Sequence, residues 1–308
     1  MKAKKLRTGR WPLSNSIYVS CGEAQKDTNV KKGMGINMNL EDFFCTDDTE
    51  LPLDRPVADG GFSGILRKVA CIGDSLSSGT CEPIDAEGIH HYMDHFDYSW
   101  GQFFARMSGN EVLNFSRGGM SAKYYESFAE EMGYFDPDKA APAYIVALGV
   151  NDHDQIQRGE IEFGSMDDID WNDLRNNRPT FVGYYGKIVQ RYREISPKSR
   201  IFLVTLPKET RYIDEKRLAF TEKHRELLYS LADKLDFCYV IDLYKYAVEY
   251  DKDFEKKFYF NNHLSAAGYM LTAKMMASYI DYIIRHNMDD FVQLALINAP
   301  FHDEKYKW

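Results

Sequence analysis

The stretch Val69 to Gly79, VACIGDSLSSG, joins a short apolar run to a turn crowded with small and hydroxyl residues. An uninterrupted apolar run ending in glycine suits a parallel strand covered on both faces, and the turn at its carboxyl end is where open α/β sheets bind ligands. Ser75 stands in that turn and is the candidate nucleophile. Taken alone, the turn fits two other readings equally well: a phosphate cradle of hydroxyls and backbone N–H groups, or a plain βα connection.

Working outward, the apolar runs at Lys68 to Ile72, Glu111 to Phe115, Tyr144 to Leu148, Arg200 to Leu206 and Phe237 to Leu243 predict five strands. Helical stretches separate them. One lies around Trp100 to Met107. Another, Phe181 to Ile195, puts Phe181, Tyr185, Ile188, Val189 and Tyr192 on one face behind Thr180 as N-cap. A third carries Leu218, Leu228, Leu231 and Leu235, and a long last helix opens after His263 with Ser265 as N-cap. Strands that alternate with helices need crossovers, so the pattern predicts an α/β fold, a parallel sheet with helices on both sides. Residues 1–66 mix charge, Asn, Gly and Pro around brief pieces such as SIYVS, Ser16 to Ser20. They read as an N-terminal extension with two or three short strands. LPLDRPVADGG, Leu51 to Gly61, reads as a linker, and 67–308 as the main domain.

Composition narrows the partners. A net charge of −9 and a pI near 5.4 argue against nucleic acid or an anionic membrane, both of which require a basic footprint. Five cysteines, odd in number and without a CxxC pair, suggest neither a disulfide framework nor a zinc site. The basic start MKAKKLRTGRWPLSNS lacks the apolar core of a signal peptide, and YIVALGV at Tyr144 to Val150 falls far short of a membrane span. The expectation is therefore a cytoplasmic protein acting on a small molecule.

Three further turns fall where a site at the sheet's carboxyl edge would collect them: Gly118-Gly119 after the second strand, Gly149 to Asp152 after the third, and His263 before the last helix. With GDSL at Gly73 to Leu76, NFSRGGMS at Asn114 to Ser121, GVND at Gly149 to Asp152 and NNHLSAAG at Asn261 to Gly268, the chain resembles the SGNH, or GDSL, hydrolase superfamily. All four blocks stand in that family's order. The resemblance implies a three-layer α/β/α sandwich with a five-stranded, flavodoxin-like parallel sheet, and a serine esterase that needs no metal or organic cofactor. The resemblance leaves carbohydrate O-acetyl esters, short acyl esters, lysophospholipids and thioesters open as substrates, and the acidic composition favours a small carboxylic ester with a short acyl or O-acetyl carbohydrate group. The resemblance also implies Ser75 as nucleophile, His263 as general base, and an oxyanion hole of the Ser75 and Gly119 N–H groups and the Asn151 side chain. The chemistry asks for the same parts, since a serine hydroxyl needs an adjacent base and a tetrahedral oxyanion needs preorganised donors.

The fourth block departs from the family. An aspartate usually stands three residues before the histidine and orients the imidazole, and this chain has Phe260 there. Two arrangements remain open: a Ser75–His263 dyad held by a backbone carbonyl, which is favoured, or an acid from elsewhere, with Asp251, Asp253 and Glu255 nearest upstream. The same departure motivates a second functional reading, a non-catalytic or weakly active ligand-binding protein. The cluster His90, His91, Asp94 and His95 includes an i, i+4 histidine pair, but a solvated loop shaping substrate access explains it without a metal.

Overall fold

The structure, a computed structural model, describes residues 47, 49–212, 214–294 and 297. The chain divides into two compact units, Met1–Glu50 and Leu51–Trp308. The short strands expected before residue 47 lie outside the described residues.

Five strands form the centre of the second unit: β1 Lys68–Gly73, β2 Glu111–Ser116, β3 Ala143–Ala147, β4 Arg200–Val204 and β5 Cys238–Ile241. All neighbours pair in parallel, in the order β2-β1-β3-β4-β5. The sheet is buried on both faces because successive side chains point to opposite sides. On one face Ala70, Ile72, Tyr144, Val146, Ile201 and Leu203 enter a core with helices α3 Ala122–Glu131, α5 Phe181–Ile195 and α6 Glu215–Lys234. On the other, Val69, Cys71, Ile145, Phe202 and Val204 pack with α2 Trp100–Ser108, α7 Lys252–Phe258 and α8 Ala266–His286. This is the three-layer α/β fold that the alternation predicts. Each fully buried aliphatic side chain contributes roughly 1.5–3 kcal/mol.

Thr180 caps α5 by accepting from the Gly183 N–H at 3.1 Å, and Ser265 caps α8 by accepting from Gly268 at 3.3 Å, as the sequence suggests. Three strands end earlier than their apolar runs do. Leu148, Leu206 and Leu243 lie past the ladder, where the chain turns away to build the carboxyl edge; Leu148 and Leu243 stay apolar because they are buried. Residues 51–66, expected from the sequence to belong to the extension, pack on α8. The Val57 N–H donates to Ser278 Oγ at 3.0 Å and the Phe62 N–H to Asp281 Oδ1 at 2.7 Å, leading into a 3-10 turn at Gly61–Leu66. The strand order reverses between β1 and β3, so the switch point, where such sheets bind ligands, lies at their carboxyl ends.

Candidate active site

Ser75 begins the one-turn helix α1 Ser75–Ser78 directly after β1. Asp74, buried beneath it, caps the turn by accepting the Leu76 N–H at 3.0 Å, and burial pushes its carboxyl up to about 7. Gly73 is required because a Cβ there would meet the Ala147 carbonyl at 2.8 Å. Ser75 is partly exposed. Its N–H has no acceptor among the described residues, as expected for the first position of a helix.

The second block turns sharply after β2. The Arg117 N–H reaches the Gly73 carbonyl at 3.3 Å, the Met120 N–H closes a turn on the Arg117 carbonyl at 3.2 Å, and Gly119 sits at φ +76. A side chain at Gly119 would be strained there, although open space surrounds it. Its N–H has no acceptor among the described residues, whereas the Gly118 N–H is taken by Asp94 Oδ2 at 2.8 Å.

The third block holds the second in place. Asn151 Nδ2 donates to the Met120 carbonyl at 2.9 Å, which leaves its other amide hydrogen free to point elsewhere. The next residue, Asp152, is buried and accepts the Ala122 N–H at 2.8 Å; burial pushes its carboxyl up to about 7. Gly149 stands at φ +140 with His224 so close that a Cβ would lie 3.1 Å from its Nε2. His224 is walled in by Phe181, Tyr185 and Phe220, and burial pushes its imidazole down to about 4, so it is neutral.

His263 lies in a two-residue antiparallel ladder, Tyr259–Phe260 against His263–Leu264, whose tight turn puts Asn261 at φ +59. This ladder packs on α1, and the Tyr269 hydroxyl of α8 ties the region together by donating to the Thr80 carbonyl at 2.8 Å. His263 Nδ1 is hydrogen-bonded to Glu82 Oε1. Glu82 is buried, and it also accepts the Asn262 N–H at 3.2 Å and Asn262 Nδ2 at 3.4 Å.

The favoured arrangement, a histidine without a carboxylate, is therefore corrected. So is the choice of nearby acids. Asp251 caps α7 through the Phe254 N–H, Asp253 pairs with Lys256, and Glu255 binds Arg211 and Tyr212. Sequence reasoning missed Glu82 because it is 181 positions from His263 and shares a loop with other acids. Nothing in its local pattern sets it apart.

The histidine cluster does not converge. His91 pairs with Asp85 at 2.7 Å, the His95 ring contacts Tyr98, and Asp94 turns to Thr80 and Gly118. Among the described residues no group of three or more His, Cys, Asp or Glu could hold a metal ion, and no helix is long and apolar enough to cross a membrane. Beside the turn lies a cavity of about 60 Å³, lined by Leu76, Ala147, Val150, Leu206, Pro207 and Leu264 among others. Three of these are chain neighbours of Ser75, Asn151 and His263.

A family described as GDSL-like lipase/acylhydrolase matches residues 71–271. Among solved structures, a family two carbohydrate esterase from Clostridium thermocellum is similar at 17% identity and a TM-score of 0.50, over 71% of this chain and 65% of its own. A possible lipase from Chitinophaga pinensis is similar at 17% identity and a TM-score of 0.50, over 70% of this chain and 98% of its own. These likenesses bear on the fold. No curated protein sequence matches.

Proposed function

Because the chain belongs to the GDSL-like lipase/acylhydrolase family, we propose that it is a serine esterase working through an acyl-enzyme on Ser75, with His263 as general base and Glu82 as the acid that orients it. The observation that carries this reading is the buried Glu82 carboxylate on His263 Nδ1. An imidazole whose Nδ1 proton faces a carboxylate presents the Nε2 lone pair to a partner, and it is stabilised when it becomes imidazolium. In the first half-reaction Nε2 takes the Ser75 hydroxyl proton while Oγ bonds to the ester carbonyl carbon. The tetrahedral oxyanion is met by the free N–H groups of Ser75 and Gly119 and by Asn151 Nδ2. Collapse breaks the ester C–O bond, and the alcohol leaves with the proton from His263. Water then repeats the sequence and releases the acid.

The substrate in this reading is a small ester with a short acyl or O-acetyl group; the apolar cavity of about 60 Å³ is lined by chain neighbours of the site residues and by none of Ser75, Gly119, Asn151 or His263, so it does not set the chain length. The alternative reading as a non-catalytic binder rests on Phe260, and it loses that motive once Glu82 supplies the carboxylate. Hydrolysis of p-nitrophenyl acetate by the wild type beside Ser75→Ala tests the proposal. A loss of at least ~10³-fold is expected; equal rates would remove Ser75 from the mechanism.

A further inference from the structure

The segment between Gly79 and Ser99 contributes more than the orienting acid. Its ends pair as a two-residue antiparallel ladder, with Thr80 opposite Asp94 and Cys81 opposite Met93. Alternate side chains of paired strands share a face, so Thr80 and Glu82 on one side and Asp94 and Tyr92 on the other belong to the same face. That face meets the site on both flanks. Glu82 holds His263 Nδ1, and the Tyr92 ring stands edge-on to the His263 imidazole at 6.3 Å. At the other flank Asp94 Oδ2 accepts the Gly118 N–H at 2.8 Å, while its Oδ1 accepts the Thr80 hydroxyl at 2.5 Å.

The contacts of Asp94 continue into the nucleophile turn. The Thr80 hydroxyl lies 3.4 Å from Ser78 Oγ, which donates to the Ser75 carbonyl at 3.3 Å. A chain of polar contacts thus runs from Ser75 through Ser78, Thr80 and Asp94 to Gly118. The site is built for the carboxylate's approach, since a Cβ at Gly118 would lie 2.8 Å from Asp94 Oδ1. This explains the double glycine. Gly118 makes room for Asp94, and Gly119 supplies the positive φ.

Resting on the esterase reading above, we infer that Asp94 is a positioning residue for the oxyanion hole. By engaging the Gly118 N–H it fixes the Arg117–Gly118 peptide plane, one link before the peptide that carries the Gly119 N–H, and so anchors the turn from which that N–H is presented to the developing oxyanion. The hairpin couples the two halves of the machinery, the base through Glu82 and the oxyanion donors through Asp94. Misplacing such a donor by about 1 Å costs on the order of 10²-fold in rate.

The test compares Asp94→Ala, Asp94→Asn and Thr80→Val on p-nitrophenyl acetate, with Ser75→Ala as the reference for the chemistry. Asp94→Ala is expected to lower kcat by ~10–100-fold with KM within about twofold, because the oxyanion exists only in the transition state. Asp94→Asn keeps an oxygen for the Gly118 N–H and is expected to recover most of that loss. Thr80→Val frees Asp94 to rotate and is expected to lower kcat by ~10-fold, which keeps the inference testable should Asp94→Ala fail to fold. Affinity for a boronic acid that forms a tetrahedral adduct on Ser75 should fall in parallel with kcat. A wild-type kcat in Asp94→Ala or Thr80→Val, or a loss confined to KM, overturns the inference while leaving the esterase reading intact. Activity that survives Ser75→Ala overturns the esterase reading instead.

Discussion

Replacing Glu82 by Gln is the perturbation that most directly separates a triad from a dyad. Glutamine keeps the length and shape of the side chain and can still bond to the Asn262 N–H that Glu82 accepts at 3.2 Å. What it removes is the charge beside Nδ1. With the amide oxygen there, His263 keeps its tautomer but loses the stabilisation of the imidazolium; with the amide nitrogen there, the proton is driven onto Nε2 and the base is blocked. The corresponding change in a serine protease triad costs about 10⁴ in kcat. The side chain of Glu82 is fully buried and that of His263 is only 18% exposed, so solvent screens their interaction little. A fall of ~10³–10⁴ in kcat is expected, or roughly 4–5.5 kcal/mol of transition-state stabilisation at 1.36 kcal/mol per tenfold. The assay is steady-state hydrolysis of p-nitrophenyl acetate, with thermal melting to confirm that the variant folds. Asp251→Asn, Asp253→Asn and Glu255→Gln serve as controls and should each cost less than about tenfold, since all three carboxylates have other partners. If Glu82→Gln retains a tenth or more of wild-type kcat, or if one control loses ~10³-fold, the assignment of the acid is refuted.

Asn151→Ala should lower kcat by ~10²–10³ with a smaller effect on KM, as measured by the same assay, because its amide bonds best to charge that forms in the transition state; a pure KM effect would make it a substrate-binding residue. Stability should also carry the signature of the buried acids. Asp74 and Asp152 are each pushed up to about 7 by burial, against about 3.9 when unfolded, so between these values the folded state holds protons that the unfolded state has released. Their contribution is fully present below about pH 4 and is lost as pH rises through about 7, with a slope set by the protons bound in each state. Asp152→Asn should therefore flatten the fall in denaturation midpoint between pH 5 and pH 8, and an unchanged slope would show that Asp152 is ionised in the folded protein.

The framework was legible in the sequence because it rests on local signals. β1, β3 and β4 are buried on both faces and so read as continuous apolar runs, and Thr180 and Ser265 cap helices whose stripes repeat at helical spacing. The candidates Ser75, Gly119, Asn151 and His263 are marked by the four blocks that resemble the SGNH family, each near the end of a strand or the start of a helix. The short helices were not legible in the same way. α4 Val150–Gln157 starts inside the site and carries Asn151 and Asp152 in its first turn, so its polar residues obscure any apolar stripe. The ladder of Thr80–Cys81 with Met93–Asp94 is only two residues long, too short for alternation to register.

The place proposed for the acid follows from the same geometry. In the fourth block Phe260 lies directly opposite His263 in their short ladder, and at 47% exposed it leaves that position in contact with solvent. A carboxylate there would be screened and would compete with water for the imidazole. Glu82 reaches the same ring from the β1 side, where Asn261 and Asn262 close over it: Asn261 Nδ2 donates to the Glu82 carbonyl at 3.3 Å and Asn262 to the carboxylate. The acid is thereby buried and still satisfied, the condition under which a carboxylate best stabilises a neighbouring imidazolium. The order of residues along the chain does not constrain this choice. A parallel sheet brings the loops of all its strands to one edge, and a group from the β1 loop can serve a base that precedes α8 as well as one from its own turn can.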